Sequence, residues 1–127
     1  MPTIPQVNAI ALAESTVLTK AALRAAERLQ IPATQLAPII GQSEASLSRM
    51  KSGKLMLEPG SKPFEIALLF VRLFRALDAI TGGDDKVSAA WLRNSHRTLG
   101  EPPLSKMRSL AGLFDVLAYL DARRAVV

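Results

Sequence analysis

Gln35-Leu-Ala-Pro-Ile-Ile-Gly-Gln-Ser-Glu-Ala-Ser-Leu-Ser-Arg-Met50 is the stretch that decides the architecture of this chain. Gly41 follows Ala37 by four residues, Leu47 follows Gly41 by six, and Met50 follows Leu47 by three. That order fits two short helices crossing closely over a tight turn, a helix-turn-helix. Ala37 is small enough for the crossing, and Gly41 allows a left-handed backbone at the turn. Leu36, Ile40, Leu47 and Met50 fall where side chains interlock beneath the two helices. The plainer alternative is a helical hairpin in which Ala37 and Gly41 merely ease packing.

In a helix-turn-helix the second helix offers its solvent face to the major groove. Here that face would carry Ser43, Glu44, Ala45, Ser48 and Arg49, with Arg49 able to meet a guanine edge or a phosphate. Lys51 and Lys54 would lie over the DNA backbone and add affinity without sequence information. Two residues work against this reading. Pro38 removes a backbone donor from the first helix unless that helix starts late, and Glu44 would be repelled by phosphate.

Helical punctuation continues on both sides. Upstream, one helix is expected over about Pro5–Ala13 and a second after Ser15, with Arg24, Glu27 and Arg28 on its wet side; Pro32 ends it. Ser43 and Gly53 suit the start and stop of the reading helix. Leu57–Pro63, with Pro59, Gly60, Ser61 and Pro63, reads as a linker. A long helix should then run from Pro63 to Ile80, with Phe70, Leu73, Phe74 and Leu77 as its core stripe. Asp84 should cap a helix containing Val87, Ala90, Trp91 and Leu92. Asn94–Pro103 is a loop, Leu104–Arg108 a short turn, and Leu110–Arg123 a last helix with Leu113, Val116, Leu117 and Leu120 inward.

Bulk properties agree with an all-α fold. The chain has 127 residues, 49% of them hydrophobic and only 5% aromatic, so a packed helical interior is within reach. The absence of Cys removes disulfides and Cys-based metal centres. No cofactor or metal is expected. The apolar stretch Phe64–Ile80 is interrupted by Glu65, Arg72, Arg75 and Asp78, which argues against a membrane span. No signal-peptide pattern opens the chain, so a soluble cytoplasmic protein is expected. The net charge of +5 admits nucleic acid as a partner. The charge is nevertheless spread: residues 1–60 hold six Lys/Arg against four Glu, and residues 61–127 hold ten against seven acids.

The C-terminal half resembles the toxin-binding domain of the Xre/MbcA/ParS antitoxin family, with ParS-like members nearest. The resemblance rests on Phe74, Leu77, Gly82-Gly83-Asp84, Ala90-Trp91-Leu92-Arg93, Leu99-Gly100, Pro103-Leu104, and Gly112 followed by Val116-Leu117. The helix-turn-helix half resembles the same family's Xre-like N-terminus. The resemblance implies a helix-turn-helix bundle over residues 1–60 and a toxin-binding domain over 61–127. It further implies an antitoxin that covers the active-site cleft of a RES-domain toxin acting on NAD, represses its own operon through DNA, and forms homodimers within a toxin–antitoxin hetero-oligomer. The residues expected at the toxin are Trp91, Arg93, Leu120, Arg123, Arg124, Val126 and Val127. Leu120, Val126 and Val127 would be apolar anchors near the chain end, and the two arginines would meet acidic groups.

Two other readings stay open. A stand-alone regulator would use the C-terminal half only to dimerise, and a catalytic helical domain would turn over substrate by itself. The second is disfavoured by composition: the lone His96 sits in a loop and is expected to be simply exposed, and no phosphate-cradling Gly-rich motif is present.

Overall fold

The computed structural model describes the backbone of residues 5–126 and the side chains of residues 9–125. Seven helices appear among the described residues: α1 (Pro5–Arg28), α2 (Ala33–Ile40), α3 (Glu44–Lys51), α4 (Lys62–Ile80), α5 (Asp85–Arg93), α6 (Pro103–Lys106) and α7 (Leu110–Val126). The expected all-α architecture, with a helix-turn-helix followed by a small helical unit, is what is found.

The largest departure from expectation is in α1. The two expected helices are one uninterrupted helix of 24 residues. Ser15 was expected to open the second one, but its hydroxyl does not cap a helix. It is buried and donates to the backbone carbonyl of Leu57. One turn later, the Thr19 hydroxyl accepts from the Leu57 N–H at 2.9 Å and donates to the Ser15 carbonyl at 2.6 Å. These hydroxyls satisfy both backbone groups of a residue that lies in no helix and is 1% exposed. The segment after α3 is therefore anchored into the core at Leu57 before it turns outward through Pro59 and Gly60.

α1 ends where Gln30 turns left-handed, at φ 58°. The N–H of Gln30 bonds the carbonyl of Glu27, and that of Ile31 bonds Ala26. This pairing closes a helix C-terminus, usually with glycine in Gln30's place. α2 begins at Ala33, so Pro38 stands inside it and does remove one backbone bond. Its ring is exposed, while Leu36, Ala37, Ile39 and Ile40 are buried. Gly41 adopts φ 81° and donates to Ala37, as the tight turn requires. Ser43 caps α3 by accepting from the Ser46 N–H at 3.0 Å.

Leu36, Ala37, Ile40, Leu47 and Met50 are all buried beneath the α2–α3 pair. They belong to one apolar cluster that also holds Leu29 of α1, Phe70, Leu73 and Leu77 of α4, Leu92 of α5, and Leu113, Val116, Leu117 and Leu120 of α7. α4 is the central helix, packing on α1 along one side and on α7 along another.

Polar ties lock the C-terminal end of α1 to the second half. Arg28 Nε lies 3.0 and 3.2 Å from the two Asp85 carboxylate oxygens, and Nη2 lies 3.1 Å from Asp78 Oδ1. Its guanidinium also stacks 4.8 Å from the Phe74 ring centroid. The hydrogen bond that Arg28 donates to Asp85, partly opposed by desolvation, raises the Arg28 pKa above its ordinary value. Placed on a solvated face from sequence, Arg28 is instead a link between α1, α4 and α5.

Candidate functional site

α3 exposes a coherent polar face. Successive residues turn about 100° around a helix axis. With Leu47 and Met50 inward, the centre of the outward side falls on Ala45, Ser48, Arg49 and Ser52, all exposed. Glu44 and Lys51 lie to one flank, bordering a groove formed with Leu23, Ala26 and Glu27 of α1. The proposed reading residues Ser43, Glu44, Ala45, Ser48 and Arg49 are all exposed, as are Lys51 and Lys54. The structure refines their roles. The Ser43 hydroxyl is occupied as the α3 cap, and Glu44 sits at the edge rather than the centre. Ser52, whose hydroxyl donates to the Arg49 carbonyl, shares the central face and was not singled out from sequence.

The second candidate surface is on α5 and α7. Trp91, at the C-terminal end of α5, is half-buried. Its ring stacks on Tyr119 of α7 at 6.0 Å between centroids and 25° between planes. His96 also packs against the Trp91 ring, at 4.7 Å between centroids, and His96 Nε2 lies 3.0 Å from the Trp91 carbonyl. His96 is thus a half-buried support for Trp91, not the freely exposed loop residue expected. Arg123 continues the row: Nη1 donates to the Tyr119 hydroxyl at 3.1 Å, with the guanidinium 5.7 Å from the ring centroid. Trp91 and Arg123, far apart in sequence, are brought together by Tyr119.

The other expected toxin residues separate. Leu120 is 1% exposed and belongs to the core, so it cannot anchor a tail in another protein; its inward heptad position places it against α4. Arg93 turns away from α7. Its Nη1 donates to the Leu29 carbonyl at 3.1 Å and to Ala89 at 2.8 Å, and Nη2 donates to Gln30 at 2.6 Å. It closes the C-terminal carbonyls of α1, a favourable place for a cation. Arg124 is exposed. The side chain of Val126 and all of Val127 lie outside the described residues.

α7 carries a feature the sequence reading overlooked. Opposite its buried face, Ala111, Phe114, Ala118, Ala122 and Ala125 are all exposed and share one side of the helix, within an arc of about 80°. Phe114 is the one large ring among them and is 50% exposed; Leu110, at the start of the helix, is 51% exposed. The signal was present in the spacing of three, four, four and three residues, but alanines are so common in this chain that the stripe did not stand out.

The presentation of α7 depends on a close elbow with α6. Ser109 caps α7, its hydroxyl accepting from the Gly112 N–H at 3.0 Å. A β-carbon at Gly112 would lie 1.9 Å from the Lys106 carbonyl oxygen, so only glycine permits this approach. Lys106 Nζ and Asp115 Oδ2 pair across the same elbow at 3.3 Å.

A helix-turn-helix with an exposed reading face, joined through a shared core to a small helical unit, is the architecture of a DNA-binding regulator with a partner domain. The sequence matches the antitoxin Xre-like helix-turn-helix domain over residues 9–72 and the antitoxin Xre/MbcA/ParS C-terminal toxin-binding domain over residues 76–125. The chain belongs to this family of antitoxins of toxin–antitoxin systems. No individual curated protein matches it. The two matched regions meet inside α4, and both the Phe114 stripe and the Trp91–Tyr119–Arg123 row fall within the toxin-binding region. Among the described residues no helix is long and apolar enough to cross a membrane, and no acidic or His cluster could hold a metal ion.

Proposed function

We propose that this antitoxin neutralises a RES-domain toxin acting on NAD by laying the outward side of α7 over the toxin's active-site cleft. The observation that carries the proposal is Phe114, a half-exposed ring and the one large side chain of an apolar stripe inside the toxin-binding region. An aromatic ring among small side chains is a typical interface anchor, because the alanines allow close approach while the ring fills a pocket. The adjoining Trp91–Tyr119–Arg123 row supplies a polar and cationic edge for acidic groups near a nucleotide cleft. Arg124, exposed on the same end of α7, extends that cationic edge. The choice of a RES-domain toxin follows from the resemblance of the C-terminal motifs to ParS-like antitoxins. The α3 face supports operator binding and autoregulation as a second task.

The test is co-expression with a RES-domain toxin, followed by co-purification and an NAD-consumption assay. Phe114→Asp should lose both toxin capture and protection of NAD while remaining folded by circular dichroism. Deleting Arg123–Val127 should weaken protection more than capture. If Phe114→Asp protects as well as the native chain, the α7 surface is not where the toxin binds. If the native chain, folded and in excess, neither binds nor inhibits such a toxin, the RES assignment falls and the stand-alone regulator is the better reading.

A further inference from the structure

A shallow polar cleft of about 330 Å³ lies between the two halves of the chain. Thr34, Gln35 and Pro38 of α2 form one wall, and Leu104, Ser105 and Arg108 of α6 and the turn after it form the other. Arg108 is exposed and makes no ion pair among the described residues. Glu101, across the neighbouring depression at the α6–α7 elbow, does not pair with it. The cleft itself holds no carboxylate, and the side chains of Thr34, Gln35, Ser105 and Arg108 make no hydrogen bonds among the described residues. A guanidinium, two hydroxyls and an amide therefore line one space with their donors unused. The backbone that carries Arg108 is well held: Met107 beside it is fully buried, Pro103 is buried, and the close approach at Gly112 fixes the elbow.

We infer that this cleft grips a phosphate of the DNA backbone beside the groove occupied by α3, so that Arg108, a residue of the toxin-binding region, belongs to the DNA interface. The inference rests on the reading of α3 as the helix that enters the major groove. In that docking the first helix of the pair crosses the sugar–phosphate backbone. Here that helix is α2. Its one exposed face is Ala33, Thr34, Gln35 and Pro38, because Leu36, Ala37, Ile39 and Ile40 are buried. A strand that crosses α2 passes along this face, which is one wall of the cleft, and Arg108 stands on the other wall.

The lining suits that occupant. A guanidinium can donate two parallel N–H bonds to phosphate oxygens. The hydroxyls and the amide are neutral donors of the kind that accompany such a contact, while Pro38 and Leu104 offer apolar surface to a deoxyribose. A free anion is a poorer occupant, since the cleft is open and carries a single cation. DNA held at α3 delivers its phosphate at the high effective concentration of an intramolecular contact. The helix-turn-helix match ends at residue 72, so this contact extends the DNA surface beyond the matched reading domain.

The experiment uses the full chain in salt-titrated fluorescence anisotropy with two duplexes, one spanning the promoter of its own operon and one of scrambled sequence. Arg108→Ala should weaken binding to both about 10-fold and flatten the salt slope by about one, as the loss of one phosphate contact requires. Arg108→Glu should weaken both further, and Arg108→Lys should recover part of the affinity. Thermal melts should stay native, because the side chain is exposed and unpaired. Hydroxyl-radical cleavage of the bound promoter should show Arg108→Ala losing protection at backbone positions flanking the α3 site and keeping the rest, a local change that a mere drop in net charge would not produce. Native affinity and slope in Arg108→Ala, with Arg49→Ala still losing discrimination, would overturn the inference and leave the α3 reading standing. Weaker binding with an unchanged footprint would overturn it as well. Saturable binding of inorganic phosphate, lost in Arg108→Ala while DNA binding is unchanged, would overturn it and assign the cleft to a free anion. A native chain without salt-sensitive DNA binding would remove the α3 reading and this inference together.

Discussion

Gly112→Ala should destabilise this protein, although helix propensity alone predicts the opposite. Gly112 sits in the first turn of α7, where alanine is favoured over glycine by about 1 kcal/mol. The added methyl, however, would lie 1.9 Å from the Lys106 carbonyl oxygen and 2.7 Å from its carbon. Ordinary contacts between such atoms exceed 3 Å by a few tenths, so the α6–α7 elbow must open by more than 1 Å. Both atoms in conflict are backbone, and no side chain can rotate out of the way. Overpacking of this kind costs about 1–3 kcal/mol and more when the backbone must move. The upper part of that range applies, and after the propensity gain a net loss of about 2 kcal/mol remains. For a chain of this size that is a fall in Tm of roughly 6–10 °C. Opening the elbow also strains the Lys106–Asp115 pair and re-aims the Phe114 stripe, so toxin capture should weaken in the surviving folded fraction. Thermal and urea melts followed by circular dichroism measure the first effect, and pull-down at a temperature where the variant is folded measures the second. A Tm equal to or above that of the native chain would show that the elbow tolerates the methyl group and that the close-approach argument is wrong.

Other expectations follow from the same geometry. Thr19→Val keeps shape but leaves the Leu57 N–H without its acceptor, so urea melts should show a loss of about 1–3 kcal/mol. Gln30→Gly should raise stability by about 0.5–1 kcal/mol, because Gln30 stands at φ 58° where glycine carries no steric cost, and its carbonyl remains available to Arg93. Arg28→Ala should lower Tm by uncoupling α1 from Asp78, Asp85 and Phe74, and Arg28→Lys should recover only part, since an ammonium cannot reproduce the fork on Asp85. Lys54→Ala should weaken binding to operator and non-operator DNA alike and reduce the salt slope by about one, whereas Arg49→Ala should remove discrimination between them; equal behaviour of the two variants in salt-titrated gel shifts would contradict the placement of α3 in the groove.

Much of the architecture is legible in local pattern. The Ala37–Gly41–Leu47–Met50 spacing, the Ser43 and Asp84 caps, and the inward faces of α4 and α7 all appear as expected, because capping and 3.6-residue periodicity act over one or two turns. Errors fell where a residue type has a local and a distant use. Ser15 suits a helix cap, yet its partner is Leu57, 42 residues away. Arg93 lies among the motif residues, yet its guanidinium is held by α1. Leu120 was given both an inward face and a role at a partner, and only packing against α4 excludes the second.

The sequence alone thus determined the helices, their caps, the helix-turn-helix and the antitoxin resemblance, since each depends on neighbours a few positions apart. Tertiary structure alone decided which arginines are structural, which apolar residues remain uncovered, and that Trp91, Tyr119 and Arg123 form one row. Those outcomes depend on how α1, α4, α5 and α7 meet, and a long side chain or an apolar stripe acquires its role only when burial has left it inside or outside.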